Sequence, residues 1–481
     1  MSVGHALAKN SALQIGGKLL GTVFGLVTFY LMLHFFNTDG FGLYTTAMTY
    51  VTIFAIIVDF GLTLTTTQMI SEKGVNESKI LGNLVSMRIL TATIFMSLAP
   101  ISAYFIPQYA TIMHIIMIGS VTYFISAIAQ MFLGVFQKRL DVFMVVVAEI
   151  INRSLSLAGI ILVGLSHGNI TQASVAFLLG ILVQLLIVVI ATKRHVQFRL
   201  EIDLAIWREI VLRSWPIGIS ILFNLLYLKG DIFFMSIFHI SFTEIGQYGS
   251  AYKVVDVMTM IPVTFMGLML PLLTTAWTQN KLSQFHSHLQ NAFDLLAIIA
   301  LPFAFGSVVL GVPIMTAVKS DLILAGQVLS VLGPSVAILY FGSLYGHTVV
   351  AINKQKIMTF AYAIVAAFAI AGYVLFIPKY GAWAAAWVTL GSELFIAILA
   401  YLVVATTAHV KTNLSMFIKA LAASAVMTAA IIYIPSPNVF LTMGFGIVVY
   451  IAALITFGGP KPKDVLRLFK PNPVRVPEST L

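Results

Sequence analysis

Fourteen apolar stretches, each near the ~20 residues an α-helix needs to cross a hydrocarbon core, run through the chain between Ser11 and Phe457. They fall at roughly 11–33, 43–69, 81–104, 111–136, 143–165, 171–192, 210–239, 247–275, 290–312, 325–350, 356–377, 382–405, 413–434 and 439–457. The spacing predicts an all-α polytopic membrane protein with about 14 transmembrane helices. Composition agrees: 59% of residues are hydrophobic and 9% charged, against ~45–50% and ~25% in soluble domains. Soluble catalytic domains have no room between the spans. The absence of cysteine excludes disulfides, thiolate metal sites, iron–sulfur clusters and cysteine nucleophiles. The first span lacks a small-residue cleavage pattern and is read as a retained helix.

A formal charge of +10 would point to nucleic acid in a soluble chain; here the basic residues report topology instead. With a cytoplasmic N-terminus, 19 of the 27 Lys and Arg lie inside and only Lys319 and Lys379 outside, the other six falling within spans. This asymmetry predicts an even helix count, cytoplasmic N- and C-termini, and residence in the cell (cytoplasmic, inner) membrane.

Gly, Tyr and Ala of Phe41-Gly42-Leu43-Tyr44 with Ala47 recur in Ile245-Gly246-Gln247-Tyr248 with Ala251, at a constant offset of 204. Phe136-Gln137-Lys138 is echoed more weakly by Ile352-Asn353-Lys354. Six spans followed by six in the same orientation make a parallel repeat. The expected organisation is therefore an N-lobe at 1–192, a surface connection at 193–209, a C-lobe at 210–405, two extra helices at 406–457 and a cytoplasmic tail at 458–481. Leu200, Ile202, Leu204, Ile206 and Trp207 interleave with charge in the connection, as suits a segment on the membrane surface.

Ionisable groups within spans are costly and usually face protein or water. Twelve occur here, six of each sign: Lys18, Asp59, Arg88, Glu149, Arg153, Lys229, Asp231, Lys253, Asp256, Asp294, Glu393 and Lys419. Lys229, Asp231, Lys253 and Asp256 flank one connection at similar depth. They are read either as a charged cluster lining a cavity, with the lysines as point-charge binders of an anionic group, or as ion pairs stapling two helices. Lys229 and Asp231, two residues apart, are expected to point in roughly opposite directions unless Gly230 loosens the helix between them. Lys18, Arg88 and Arg153 could bind an anionic group, unless Arg88 pairs with Asp59, Arg153 with Glu149, and Lys18 snorkels. Asp59, Glu149 and Glu393 are the candidates for ion coupling, and Glu393 has no basic neighbour at helical spacing. His286 and His288 in a polar loop do not make a metal site. No phosphate-binding loop, dinucleotide fingerprint or Ser-His-Asp context is present.

Several motifs together resemble bacterial and archaeal polysaccharide (O-antigen-type) flippases. Toward the N-terminus they are Asn10-Ser11, Thr38-Asp39-Gly40-Phe41-Gly42-Leu43-Tyr44 and Asp59-Phe60-Gly61-Leu62. Later come Ser214-Trp215-Pro216-Ile217-Gly218, Lys229-Gly230-Asp231, Gly246-Gln247-Tyr248 with Ala251-Tyr252-Lys253, and Ile261-Pro262. Asn353-Lys354-Gln355-Lys356 and Pro378-Lys379-Tyr380-Gly381-Ala382 with Ala384-Ala385 complete the set. Multidrug and toxin extrusion antiporters and lipid II flippases are relatives of similar architecture. The resemblance implies a V-shaped, two-lobed transporter, not an enzyme, that moves polyprenyl-pyrophosphate-linked oligosaccharide to the outer leaflet by alternating access. With no nucleotide site, the drive would be an ion gradient, H+ or Na+, without other cofactors. Its partners would be the lipid-linked substrate, membrane lipids and glycan-assembly enzymes, with no nucleic acid and a monomeric state. The alternatives are a multidrug or cation antiporter on the same fold and, further off, a membrane-embedded glycan polymerase or acyltransferase.

Overall fold

The computed structural model describes residues 3–460 except 73, 140, 142 and 435–437. Lys73 and the tail beyond residue 460 therefore lie outside the described residues. All regular structure in the described part is helical. The order is α1 (Val3–Asp59), α2 (Leu62–Ser71), α3 (Glu77–Ala103), a 3-10 turn (Pro107–Ile112), α4 (Met113–Met131), α5 (Leu133–Lys138), α6 (Phe143–Leu165) and α7 (Ile170–Lys193). It continues through α8 (Leu204–Ile237), α9 (Phe242–Thr278), α10 (Leu282–Val318), α11 (Ile323–Ala351), α12 (Gln355–Ala408), α13 (Ser415–Tyr433) and α14 (Val439–Thr456).

Eleven helical stretches are long and apolar enough to cross a membrane. Two of them, α1 with α2 and α12, hold two spans apiece, broken at Asn37 (φ 60°) and Gly381 (φ 53°). With α8 these make the fourteen spans expected. In α12, Tyr373 meets Thr389 at 3.3 Å and Gly372 abuts Val388, so its two legs run antiparallel. The positive φ explains why the turn falls at glycine, where no Cβ has to be accommodated. A Cβ on Gly381 would also collide with the Glu244 carboxylate, which accepts the Ala382 amide at 2.7 Å.

Side-chain caps fix several helix starts. Asn76 accepts from the Lys79 amide (3.1 Å), Asn169 and Gln172 form a reciprocal capping box, and Asn438 accepts from the Phe440 amide (2.9 Å). Each cap satisfies an amide that has no partner within its own helix. Hydroxyls of Thr52, Thr66, Ser120, Thr192 and Ser392 donate to the carbonyl four residues earlier, which hides their polarity within the helix.

The chain divides into two compact units. One comprises the chain up to Lys253 with Val318–Ala325 and Thr359–Ser392. Its main core packs Leu62, Ile70, Leu84, Met131, Phe132, Phe136, Val188 and Ile210 from α2 to α8. The other comprises Val254–Ala317, Gly326–Met358 and the chain from Glu393 onward. There α13 and α14 pack on α10 through Ala297, Leu301, Met427 and Ile431, and the Tyr450 hydroxyl donates to the Ile298 carbonyl at 2.7 Å.

The connection after α7 lies non-helical across the start of α3, and α8 begins at Leu204, earlier than the span placed at 210. The Arg199 carbonyl presses against Gly82, the Ser78 hydroxyl donates to the Gln197 carbonyl, and Asn83 accepts the Asp203 amide at 2.7 Å. Lys79 pairs with Asp203 at 2.8 Å. Leu200, Ile202 and Leu204 alternate outward, 61%, 72% and 74% exposed, while Ile206 and Trp207 are partly buried.

Asp203 both caps α8 and pairs with Lys79. The Lys79 ammonium, then the Ile206 amide, hold its carboxyl below the usual carboxylate range. A depressed folded pKa stabilises above the ordinary value of ~3.9, and the contribution is lost as pH falls through the lower folded value. The protection of amides in residues 196–206, measured as exchange relative to the intrinsic rate, should therefore hold near neutrality and fall only below about pH 4. Asp203→Asn, which keeps the cap, should be less protected near neutrality and lack the acid-dependent fall. An unchanged profile in that variant would remove the pair from the account.

Candidate functional site

The internal repeat becomes a contact where α1 crosses α9. A Cβ on Gly42 would strike the Phe242 carbonyl, and one on Gly246 would strike the Thr38 carbonyl. Gly42 and Gly246, and likewise Thr38 and Phe242, are 204 residues apart. So are Asp39 and Thr243, whose side chains hydrogen-bond at 3.1 Å. The crossing is thus a local two-fold in which each helix presents its glycine to the other's backbone. Further bonds tie the same end. Thr38 donates to Asp321 (2.9 Å), Asp321 pairs with Lys319 (3.3 Å), and the Gln247 side chain accepts the Ala325 amide (3.0 Å).

Below this crossing α8 faces α9. Asp231 is fully buried and accepts from the Tyr248 hydroxyl at 2.7 Å, from Tyr252, and from the Ile232 amide at 2.7 Å. The Lys229 ammonium stands 4.7 Å from the centre of the Tyr252 ring. The two side chains therefore converge on α9, correcting the expectation that they diverge. The long lysine stem swings its charge over the ring, and Gly230 between them adds no bulk against Tyr373 and Phe234. Lys229 is also within electrostatic range of Tyr123, whose hydroxyl meets Thr52 at 2.6 Å. Nearby, the Ser236 hydroxyl donates to Tyr109 (2.9 Å), Tyr109 meets Tyr50 edge-on at 4.8 Å, and Tyr50 bonds Ser102 (2.7 Å). A polar aromatic network thus joins α8 and α9 to α1, α3 and α4.

Arg88 and Arg153 have carboxylate partners. Arg88, 1% exposed, donates to Asp59 (2.8 Å), the Val58 carbonyl (2.8 Å), Thr63 (3.1 Å) and the Met131 sulfur (3.4 Å), and Thr63 also donates to Asp59. Buried and with four of its five N–H groups bonded, it is a structural clamp in this conformation. Arg153 chelates Glu149 at 2.8 and 3.1 Å, with both side chains about two-fifths exposed. It reaches α1, where a Cβ on Gly21 would lie 2.9 Å from its Nε. Lys18, one turn earlier on α1, is exposed and forms no ion pair among the described residues. Arg153 and Glu149 thus lie against α1 one turn from Lys18, whereas Arg88 is bonded to Asp59, Val58, Thr63 and Met131.

Lys253 is half-buried and Asp256 exposed on α9. Glu393 is 4% exposed on the second leg of α12, with no hydrogen-bond partner among the described residues. Asp294 accepts from Gln290 at 2.8 Å. Among the described residues no three His, Asp or Glu side chains converge as metal ligands do. The tyrosines are what a search for charge passes over. Tyr248 and Tyr252, four apart and opposite a span carboxylate, are the signal that points to them.

The glycine crossing generates a direct test in a chain that has no native cysteine. Asp39→Cys with Thr243→Cys should cross-link in high yield under mild oxidation. Adding Gly42→Ala or Gly246→Ala should lower the yield severalfold, since overpacking costs about 1–3 kcal/mol. Equal yields with and without the alanines would show that the helices do not close here.

A family model described as polysaccharide biosynthesis protein matches residues 7–277, more than half of the chain. No curated protein matches it. Among solved structures, the lipid II flippase MurJ in an inward closed conformation superposes with a TM-score of 0.77 at 15% identity, covering 95% of this chain and 100% of that one. An inward-facing multidrug resistance MATE family transporter of the MOP superfamily gives 0.64 at 14%, covering 83% and 98%. A MOP superfamily transporter from Pyrococcus furiosus, for which a binding pocket of reverse polarity is described, gives 0.59 at 13%, covering 84% and 96%. The fourteen-span helical architecture, the folded-in repeat and the family match together establish that the chain belongs to the polysaccharide biosynthesis protein family, on the fold shared by MurJ and MATE transporters.

Proposed function

We propose that this multi-pass membrane protein flips a polyprenyl-pyrophosphate-linked oligosaccharide from the cytoplasmic to the outer leaflet by ion-coupled alternating access. One observation carries the reading. Three acids at the candidate site are held by groups of this chain: Asp59 by Arg88, Glu149 by Arg153, and Asp231 by two tyrosines. The exposed or half-buried groups beside them are mostly cations, Lys18, Arg153, Lys229 and Lys253, against the acids Glu149 and Asp256. An ammonium is a point-charge donor to phosphate, and a guanidinium adds a planar fork. A drug-cation antiporter would favour the opposite balance, with acids in excess. Tyrosine faces such as Tyr252 give sugar rings an apolar surface with a polar tip.

The 19-to-2 distribution of Lys and Arg supports cytoplasmic termini, inner-membrane residence and entry of substrate from the cytoplasmic side. For coupling, Glu393 is the best placed of the three acids, because Asp59 and Glu149 are held by arginines. A solitary buried carboxylate without converging oxygen donors accepts a proton more readily than it cages a metal cation. Proton uptake from one side and release to the other would drive the cycle.

Leaflet transfer in proteoliposomes tests the reading. With a short lipid-linked oligosaccharide, Lys229→Ala should slow transfer about tenfold, the loss expected for one charge-assisted contact, and Lys253→Ala should lower it less. Movement of a cationic drug without movement of glycolipid would overturn the assignment. Glu393→Gln should leave glycolipid exchange without a gradient intact and abolish its acceleration by an imposed pH gradient. Acceleration that persists in this variant would remove Glu393 from coupling.

A further inference from the structure

The two legs of α12 enclose a groove of about 620 Å³ that none of the preceding roles uses. The small residues Ala371, Gly372 and Ala384 are part of its lining, and Gly372 packs so closely that a Cβ would come within 2.8 Å of Val388. Trp383 and Trp387, one turn apart, wall one side; Phe368, Leu375 and Phe376 wall the other. From Phe368 to Tyr380 the groove extends twelve residues, ~18 Å along the helix axis. Its volume lies within the ~300–1,000 Å³ typical of small-ligand sites.

The groove lies on an exposed apolar face. On the first leg, Ile357, Phe360, Ile364, Phe368 and Leu375 recur at helical spacing and are all exposed, an unbroken apolar stripe that in water would be an association site and here meets lipid. Interfacial Trp and Tyr often serve only as anchors that project singly into the headgroup zone. These differ because they line one groove together with the small residues Ala371, Gly372 and Ala384. In a bilayer such a groove is filled by lipid.

A charge stands next to one lining residue: Lys379 holds its ammonium 5.2 Å from the centre of the Tyr380 ring, beside the Gly381 turn. Lys319, the other basic residue assigned to this side, is already bonded to Asp321 and Asn37. Lys379 forms no ion pair among the described residues. We propose that this groove is a binding site for an anionic glycerophospholipid, with one acyl chain along Ala371, Gly372 and Ala384 between the aromatic walls and the phosphate at Lys379.

Trp383 and Trp387 make the site self-reporting. Full-length protein in phosphatidylcholine vesicles would be titrated with chain-brominated phosphatidylglycerol or, in parallel, chain-brominated phosphatidylcholine, and tryptophan quenching recorded. The phosphatidylglycerol series should reach half-quenching at about a fivefold lower mole fraction, the contribution of one lysine at a membrane surface. Lys379→Gln should merge the two series. Ala371→Phe, at an exposed position, should fill the groove and remove the preference while leaving the fold intact by circular dichroism. Trp383→Phe with Trp387→Phe should remove the part of the signal that distinguishes the lipids. Equal quenching by both lipids in the unaltered protein, or a preference that survives Lys379→Gln, would overturn the proposal. So would displacement of the brominated lipid by a long polyisoprenyl phosphate at far lower mole fraction than by unlabelled phosphatidylglycerol, which would give the groove to the lipid carrier instead.

Discussion

A bilayer interior supplies no water to satisfy polar groups, and this constraint orders the molecule. Every span closes its backbone bonds internally as helix, and many hydroxyls, such as those of Thr66, Ser120 and Thr192, fold back onto carbonyls of their own turn. Charges follow the same logic. Arg88 is tolerated at 1% exposure because four acceptors surround its guanidinium. Asp231 is tolerated because two tyrosine hydroxyls and an amide point at it. Removing one partner from such a group costs more than the contact itself contributed, since the survivor stays buried.

Where backbones rather than side chains must meet, glycine decides. The crossing of α1 with α9 brings carbonyls to positions that any Cβ would occupy, so helices 204 residues apart in register approach more closely than side chains permit. The same principle operates at Gly82, where the connection before α8 lies on α3, and at Gly372 within α12. On α9, beyond Gly246, stand Tyr248 and Tyr252, which meet Asp231, and Tyr252 also meets Lys229. Small residues are the usual means of such packing in membranes, where apolar side chains gain little by leaving lipid.

Much was legible beforehand because the signals are local and additive. Span count follows from runs of apolar residues, and the pairing of Glu149 with Arg153 follows from a four-residue spacing on one helix. The repeat of Gly42 and Gly246 was visible as text, but its meaning as a reciprocal contact was not, because spacing does not say which distant surfaces meet. Lys229 and Asp231 were misdirected by helical geometry, which fixes Cβ directions and not where a four-carbon stem ends. The tyrosines were overlooked because a neutral ring reads as core until a buried carboxylate is found beside it.

What the sequence determined alone is therefore the class of molecule: a chain too apolar for water, with fourteen spans, an internal repeat and a lopsided distribution of basic residues. Tertiary structure decided which charges are spent and which are exposed. It paired Arg88 with Asp59 across two helices, caged Asp231 in hydroxyls, left Glu393 without a partner among the described residues and opened the aromatic groove along α12. The reason is physical. Helix formation in lipid depends on near neighbours in the chain, whereas the cost of a buried charge depends on groups brought to it from far along the sequence.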